Sequence, residues 1–195
     1  MDDAEPRAFA QLDAGDAGRA ATVTIEAYGP AIHAYLSRLL AEADDALDVF
    51  QQWAEDLWRG LPGFRRECRL RTWAFKLAYH AASRFWRDPY QARRQRLPSS
   101  AASHLAVSVA QSSALSGAAR REQLRRLEAE LTTDERGLLY LRHDRELSWD
   151  ECAEILSTGD AGPLNAAALR KRYERIKEKL GRLAKDAGLL EPDRE

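Results

Sequence analysis

The stretch Asp44-Asp45-Ala46-Leu47-Asp48-Val49-Phe50-Gln51-Gln52-Trp53 decides the fold class of this 195-residue chain. Its apolar residues recur at the spacing of one face of an α-helix, and Leu57 continues that face. The predicted buried stripe consists of Ala46, Val49, Phe50, Trp53 and Leu57. The outward positions are Asp44, Asp45, Asp48, Gln51, Gln52, Glu55 and Asp56. The stretch therefore predicts an amphipathic helix with an acidic solvent face.

Helical spacing of apolar residues extends through almost the whole chain, and no run of alternating β-branched residues predicts a strand. We therefore expect an all-α protein. Upstream, Gly29-Pro30 predicts a break between a weak helix near residues 16–28 and a clearer one with Ile32, Tyr35, Leu36, Leu39 and Leu40 inward. Downstream, Gly60-Leu61-Pro62-Gly63 ends the acidic helix, and a basic loop follows, Phe64-Arg65-Arg66-Glu67-Cys68-Arg69.

The helix after this basic loop is predicted to have two distinct faces. The inward residues are expected to be Leu70, Trp73, Ala74, Leu77, Ala81 and Phe85. The opposite face would carry Thr72, Lys76, Tyr79, His80, Ser83 and Arg87. Polar, basic and aromatic side chains would thus share one exposed surface.

The second half of the chain predicts a linker and then a second helical domain. Residues 89–119 are rich in Ser and Ala and lack sustained periodicity. Capping boxes at Thr132-Thr133-Asp134-Glu135 and Ser148-Trp149-Asp150-Glu151 predict two helix starts. After a Gly-rich turn, Asn165 is suited to cap a long helix with Leu169, Tyr173, Ile176, Leu180 and Leu183 inward. A short helix, a turn and a long basic helix predict a helix-turn-helix.

The net charge of −1 conceals a strong segregation of charge along the sequence. Lys and Arg number 3 against 12 Asp and Glu in residues 1–58, 11 against 2 in residues 59–96, and 8 against 2 in residues 170–185. This pattern favours two separate contacts with a polyanion and an acidic surface for another partner. Solvated helix faces are the alternative explanation.

Several functional classes find no support in the sequence. Cys68 and Cys152 belong to no CxxC pair, so we expect ordinary thiols and neither a metal site nor a cofactor. No apolar run reaches the length of a membrane span, and the acidic N-terminus does not resemble a secretory signal, so a cytoplasmic protein is expected. No nucleotide-binding or hydrolase motif predicts a catalytic residue.

Two stretches resemble conserved regions of extracytoplasmic-function sigma factors, which belong to the sigma-70 family. The first is similar to region 2 of that family, and it runs from Asp44 through Trp53, then includes Leu57-Trp58, Phe64-Arg65, Leu70-Arg71-Thr72-Trp73, Lys76-Leu77-Ala78 and Arg84. The chain departs from the family pattern at Leu47, at Arg66, where the family usually has Gly, and at Tyr79-His80, where Arg-Asn is usual.

The second stretch is similar to region 4. The matching residues are Leu131, Glu135-Arg136, Leu138 through Arg142, Leu147 through Leu156, and Leu169-Arg170-Lys171-Arg172-Tyr173. The turn between Leu156 and Leu169 is about six residues longer than in the family pattern. The resemblance implies two small helical domains, region 2 over residues 16–88 and region 4 over 120–187, joined by a flexible linker over 89–119.

The resemblance also implies three sets of contact residues. The −10 promoter element would contact Arg65, Arg66, Arg69, Trp73, Lys76, Tyr79, His80, Ser83, Arg84 and Arg87. The −35 element would contact Asn165, Ala167, Ala168, Arg170, Lys171, Arg172 and Arg175. Core RNA polymerase would contact Asp45, Asp48, Gln51, Gln52 and Asp56.

By the same resemblance, the partners would be promoter DNA and core RNA polymerase, through its β′ clamp coiled coil and β flap. Many members of the family are held inactive by an anti-sigma factor, which adds a further candidate partner. The protein would not be an enzyme, would insert in no membrane, and would join the nucleoid as part of holoenzyme.

Two rival functions remain for comparison. A stand-alone helix-turn-helix regulator would bind duplex DNA without polymerase, usually as a dimer on paired half-sites. Residues 44–48 also fit the DDxxD pattern of isoprenoid synthases, which hold magnesium against a diphosphate. Those enzymes need a larger helical cavity and a second carboxylate motif, and the sequence shows neither.

Overall fold

The computed structural model describes residues 3–40, 42–87, 130–157 and 164–186. The chain divides into two compact units, residues 1–115 and 116–195. All regular structure in the described residues is helical, which confirms the all-α prediction. The predicted linker at 89–119, the first residues of the predicted second domain and most of the long turn lie outside the described residues.

Four α-helices and one 3₁₀ turn form the described part of the first unit. They are α1 (Ala4–Asp13), α2 (Ala17–Leu39), α3 (Ala43–Gly60), the 3₁₀ turn (Leu61–Gly63) and α4 (Leu70–Arg87). Helix α1 packs on α2 and had not been predicted from the sequence. Ala4 and Ala8 are the buried residues of α1, and alanines give only a weak apolar signal.

The predicted helix break at Gly29-Pro30 is wrong, because α2 runs through both residues. Proline in a helix interior removes one backbone hydrogen bond and crowds the carbonyl four residues earlier. Here Pro30 and Glu26 are both exposed, so water can hydrogen-bond the released carbonyl. Ile25 and Ile32 are fully buried on either side of the proline, and this packing outweighs the local penalty.

The core of the first unit is aromatic and joins α2, α3 and α4. Trp53 stacks on Phe50, with ring centroids 5.1 Å apart, and its indole Nε1–H donates to the carbonyl oxygen of Ala74 at 3.0 Å. Tyr35 meets Phe75 edge to face at 5.6 Å. The predicted apolar stripe of α3 is confirmed, with Ala54 as an additional buried member.

The predicted division of α4 into two faces is only partly right. Leu70, Ala74, Ala81 and Phe85 are buried as expected, whereas Trp73 and Leu77 are half-buried. Thr72, Tyr79 and Ser83 were expected on the exposed face, but they are buried. Elements pack against α4 from several sides, and small residues such as Ala78 and Ala82 admit them.

The second unit contains α5 (Thr133–Leu139), a π-helical segment (Tyr140–Asp144), α6 (Trp149–Leu156) and α7 (Ala166–Asp186). Both predicted capping boxes are confirmed. The Thr132 hydroxyl accepts from the amide of Glu135, whose carboxylate accepts from the Thr132 amide, and Ser148 and Glu151 form the same pair of bonds. Of the five residues expected inward on α7, only Leu169 and Ile176 are buried, and the other three are half-buried.

The two units differ in the size of their cores. The four largest fully buried side chains in the described part of the chain, Trp53, Tyr35, Phe50 and Phe75, all lie in the first unit, whereas the largest fully buried side chains of the second unit are aliphatic, among them Leu138, Leu141 and Leu147. Large buried side chains contribute most of the hydrophobic stabilisation of a small domain. The core of the second unit should therefore contribute less hydrophobic stabilisation than that of the first.

Candidate functional site

The basic loop at residues 64–69 connects the 3₁₀ turn to α4. Its arginines differ in their surroundings: the side chain of Arg65 is 82% exposed and lies 3.9 Å from Glu67. Arg69 is exposed, while the side chain of Arg66 pairs with Asp13 of α1. Arg65 and Arg69 are thus the loop cations best placed to meet a polyanion.

Three residues of α1, spaced four apart, contact the two ends and the middle of this loop. Phe9 stacks on Phe64 with ring centroids 6.1 Å apart. The guanidinium of Arg66 lies 4.5 Å from the centre of the Phe9 ring and pairs with the Asp13 carboxylate. The carboxylate of Glu5 accepts from the backbone amide of Leu70 at 2.7 Å, at the start of α4. None of these three residues was predicted from the sequence to contact the loop.

Trp73 joins the loop to the core. Its ring lies 4.9 Å from that of Phe64, and a side chain at Gly60 would come within 3.3 Å of it. The indole is half-buried, so only part of it can contact a ligand. The small residue at position 60 is what allows this close approach.

The expected −10 residues further along α4 fall into two groups. Tyr79 and Ser83 are buried, so neither offers a face to a ligand, and Lys76 and His80 are half-buried. Arg84 and Arg87 are exposed at the end of the helix. Trp86, which the sequence analysis overlooked, is 37% exposed and meets Tyr79 edge to face at 6.2 Å. An exposed indole next to an exposed arginine, Arg87, has the residue types that stack on unpaired bases.

The acidic face of α3 is present but partly neutralised. Asp45, Asp48, Gln51 and Gln52 are half-exposed, and Asp44 is exposed. The carboxylate of Asp56 makes three contacts within the unit. It pairs with Arg84 of α4, accepts from the Gln52 amide at 2.9 Å, and lies 4.0 Å from Arg59.

The exposed side of α7 agrees with the sequence prediction. Ala167, Ala168, Arg170, Lys171 and Arg175 are exposed. Asn165 is exposed as well, and its side-chain oxygen accepts from the amide of Ala167 at 2.8 Å, which confirms its predicted capping role. Arg172 is half-buried, 3.6 Å from Asp134 of α5.

A cluster of aromatic and cationic side chains lies beside the start of α7. Trp149 meets Tyr173 edge to face at 5.4 Å, with the guanidiniums of Arg142 and Arg170 at 4.9 and 5.7 Å from the Trp149 ring. Arg142 also donates to the carbonyl of Leu147 at 2.8 Å. Trp149 thus holds Arg170 near the entry of α7, leaving Lys171 and Arg175 as the projecting cations.

The described residues give little support for a metal site, a reactive thiol or a membrane span. No set of three or more His, Cys, Asp or Glu side chains there is arranged to hold a metal ion. Both cysteines are free, and burial raises the pKa of Cys152 to about 12. Within the same residues, no helix is long and apolar enough to cross a membrane.

Comparison with protein families matches the part of the chain that includes α2 from Thr24 onward, α3, the basic loop and α4. Residues 24–94 match sigma-70 region 2. This match supports a sigma-70 family sigma factor, a class of non-enzymatic proteins that act with RNA polymerase in promoter-directed transcription. Comparison with the curated proteins gave no match.

The region 2 match covers about a third of the chain. It includes the acidic face of α3 and every expected −10 residue. It does not include α1, whose three contacts reach the loop from outside it, or any helix of the second unit.

Proposed function

We propose that the protein is an extracytoplasmic-function sigma factor that binds core RNA polymerase and recognises −10 and −35 promoter elements through its two units. The observation that carries this proposal is the region 2 match over residues 24–94, in which a basic loop and helix adjoin an acidic helix. In the cell the protein would be cytoplasmic and would join the nucleoid within holoenzyme. An anti-sigma factor is a further proposed partner.

In this proposal the first unit holds the separated strands at the −10 element. Arg65, Arg69 and Arg87 would contact phosphates, because these cations are exposed. Bases that leave the stack would lie against Trp73 and Trp86, since stacking on an aromatic side chain stabilises an unpaired base by about 1–3 kcal/mol. The buried Tyr79 and Ser83 would support the surface from within.

The acidic face of α3 is the proposed docking site for core polymerase, on the β′ clamp coiled coil. Asp45, Asp48, Gln51 and Gln52 are the proposed contact residues, because they remain partly accessible. Asp56 is assigned a different role from the one first expected, since its carboxylate pairs with Arg84.

The proposed −35 contact is the first half of α7 in the major groove, with region 4 also meeting the β flap. Lys171 is the proposed base contact, and Arg170 and Arg175 are proposed phosphate contacts. Ala167 and Ala168 offer only methyl groups, which suit apolar contact with thymine. The supporting observations are the two capping boxes, the capped α7 and the exposure of these residues.

The decisive experiment combines the purified chain, bacterial core RNA polymerase and a randomised promoter library. Promoter-specific transcripts that require the chain support the proposal. Tight binding to duplex DNA without polymerase, and no transcripts with it, would instead support a stand-alone helix-turn-helix regulator.

Residue variants then separate the three contacts on a selected promoter. Lys171→Ala with Arg175→Ala should abolish dependence on the upstream element, whereas Arg182→Ala, an exposed cation further along α7, should not. Asp48→Ala with Gln52→Ala should weaken polymerase binding, with the exposed Glu26→Ala as control. Arg65→Ala with Arg69→Ala should reduce permanganate reactivity of −10 thymines while leaving duplex docking intact. Normal values for all three sets would refute the residue assignments.

A further inference from the structure

We infer that α1 is the positioning element of the −10 recognition loop, and that Arg66 anchors this loop to α1 instead of contacting DNA. The inference rests on the proposed sigma factor function and deepens it. It concerns a helix outside the region 2 match, which begins at residue 24.

One stripe of α1 performs the positioning. Glu5, Phe9 and Asp13 follow each other at four-residue spacing, so they lie on the same side of the helix. The buried Ala4 and Ala8 belong to the side of α1 that packs inward. The helix is therefore fixed to the unit by one side and holds the loop with the other.

The middle of the loop needs such support because of its backbone. Arg66 has a φ of 59°, in the left-handed region that residues other than glycine rarely adopt. Glycine would take this conformation without strain, but it would leave the loop free to move. The arginine side chain, seated on Phe9 and paired with Asp13, holds the strained conformation in place.

The end of the loop is supported at the first turn of α4. The first amides of a helix lack partners within the helix, and a side-chain oxygen just before the helix usually accepts from one of them. Arg69 precedes α4 and has no acceptor atom in its side chain. Glu5 supplies the missing oxygen by accepting from the Leu70 amide, so α1 also fixes where the loop ends.

These contacts leave Arg65 and Arg69 as the loop cations that face outward. The guanidinium of Arg66 pairs with Asp13 of α1, whereas the side chain of Arg65 is 82% exposed. Arg65 therefore serves as the matched control for Arg66: a neighbour of equal charge that makes no described contact with α1.

The test is a double-mutant cycle on full-length chain in holoenzyme with bacterial core polymerase. The probe is a labelled single strand with the −10 sequence of the promoter selected by the wild-type holoenzyme, compared with a scrambled strand. Asp13→Ala and Arg66→Ala should each reduce the preference for the −10 strand about three- to fivefold, the upper range for an exposed ion pair. The double variant should lose no more than Arg66→Ala alone, because Arg66→Ala already removes the contacts with both Asp13 and Phe9.

The control follows the opposite rule. Arg65→Ala combined with Asp13→Ala should lose the product of the two single effects, because independent contacts add in free energy. The side chains of Arg66 and Asp13 are 42% and 64% exposed, so their removal leaves the core intact. Polymerase affinity should therefore stay unchanged, and amide hydrogen exchange at residues 66–69 should accelerate in both single variants.

Three outcomes would overturn the inference. If Arg66→Ala reduces the strand preference as much in the Asp13→Ala background as in the wild type, Arg66 acts independently of Asp13 and contacts DNA itself. Stronger −10 binding by Asp13→Ala would mean that α1 shields the loop. If the wild-type holoenzyme shows no preference for the −10 strand although the chain binds polymerase, the proposed −10 function fails together with the inference. If the wild type prefers the −10 strand and the variants prefer it equally, the inference alone is overturned.

Discussion

Replacing Asp56 by alanine should destabilise the first unit, because this carboxylate joins α3 to α4. The variant loses the ion pair with Arg84 and the hydrogen bond from Gln52. The Arg84 side chain is 51% exposed and that of Asp56 is 19% exposed, so water screens the attraction between them as it does in a surface ion pair. An exposed ion pair contributes about 0.2–1 kcal/mol and a hydrogen bond about 0.5–1.5 kcal/mol. The free energy of unfolding should therefore fall by about 1–2 kcal/mol.

Urea unfolding followed by tryptophan fluorescence is a suitable assay. Four of the five tryptophans, Trp53, Trp58, Trp73 and Trp86, lie in residues 1–115 and report on this unit. Arg84→Ala and the double variant complete a cycle for the ion pair, and the exposed Asp44→Ala is the matched control. The expected coupling is about 0.5 kcal/mol or more. Zero coupling, with Asp56→Ala as stable as wild type, would refute the role assigned to this carboxylate.

Three further predictions concern groups away from the proposed contacts. In a Cys68→Ser background, the Cys152 thiol should resist thiol reagents until the second unit opens, because burial raises its pKa to about 12; prompt modification of the native protein would contradict this. In the same background, Ser148→Ala removes one hydrogen bond of a capping box. Because a cap contributes about 1 kcal/mol, the rate of Cys152 modification should increase about fivefold. An unchanged rate would exclude that contribution. Burial lowers the pKa of His33 below 6.5, so as the pH falls the imidazole becomes protonated in the unfolded chain before it does in the folded one. The free energy of unfolding should therefore decline as the pH drops through 6.5. His33→Leu should flatten this decline, and an identical decline in the variant would rule out His33 as its source.

The sequence predicted those parts of the fold that depend on local signals. The stripe of α3 was predictable because five apolar residues follow one helical face, and the two capping boxes because each pairs a hydroxyl with a glutamate three residues later. Packing between distant segments overrode local rules elsewhere. Pro30 lies within α2, and Tyr79 and Ser83 are buried although the polar character of the α4 face predicted exposure.

The sequence indicated which residues belong to the candidate site but not which of them pair with one another. Sequence spacing placed Arg65 and Arg66 in one basic loop, but only the fold brings Asp13 beside Arg66, from 53 residues away. The same holds for Asp56 and Arg84, which are 28 residues apart. Such pairings depend on how helices pack, and no local pattern encodes them. Trp86 was overlooked because its exposure follows from the same packing.

The small core of the second unit has a consequence for the lifetime of the protein. Proteases cut chains where local unfolding is easiest, and a unit whose largest fully buried side chains are aliphatic, such as Leu138, Leu141 and Leu147, should unfold before one whose core holds four fully buried aromatic rings. Degradation would then remove α5 to α7 first and leave α1 to α4 intact for a time. Cells would hold a shortened product that keeps the helix proposed to bind polymerase but has lost the unit proposed to bind the −35 element.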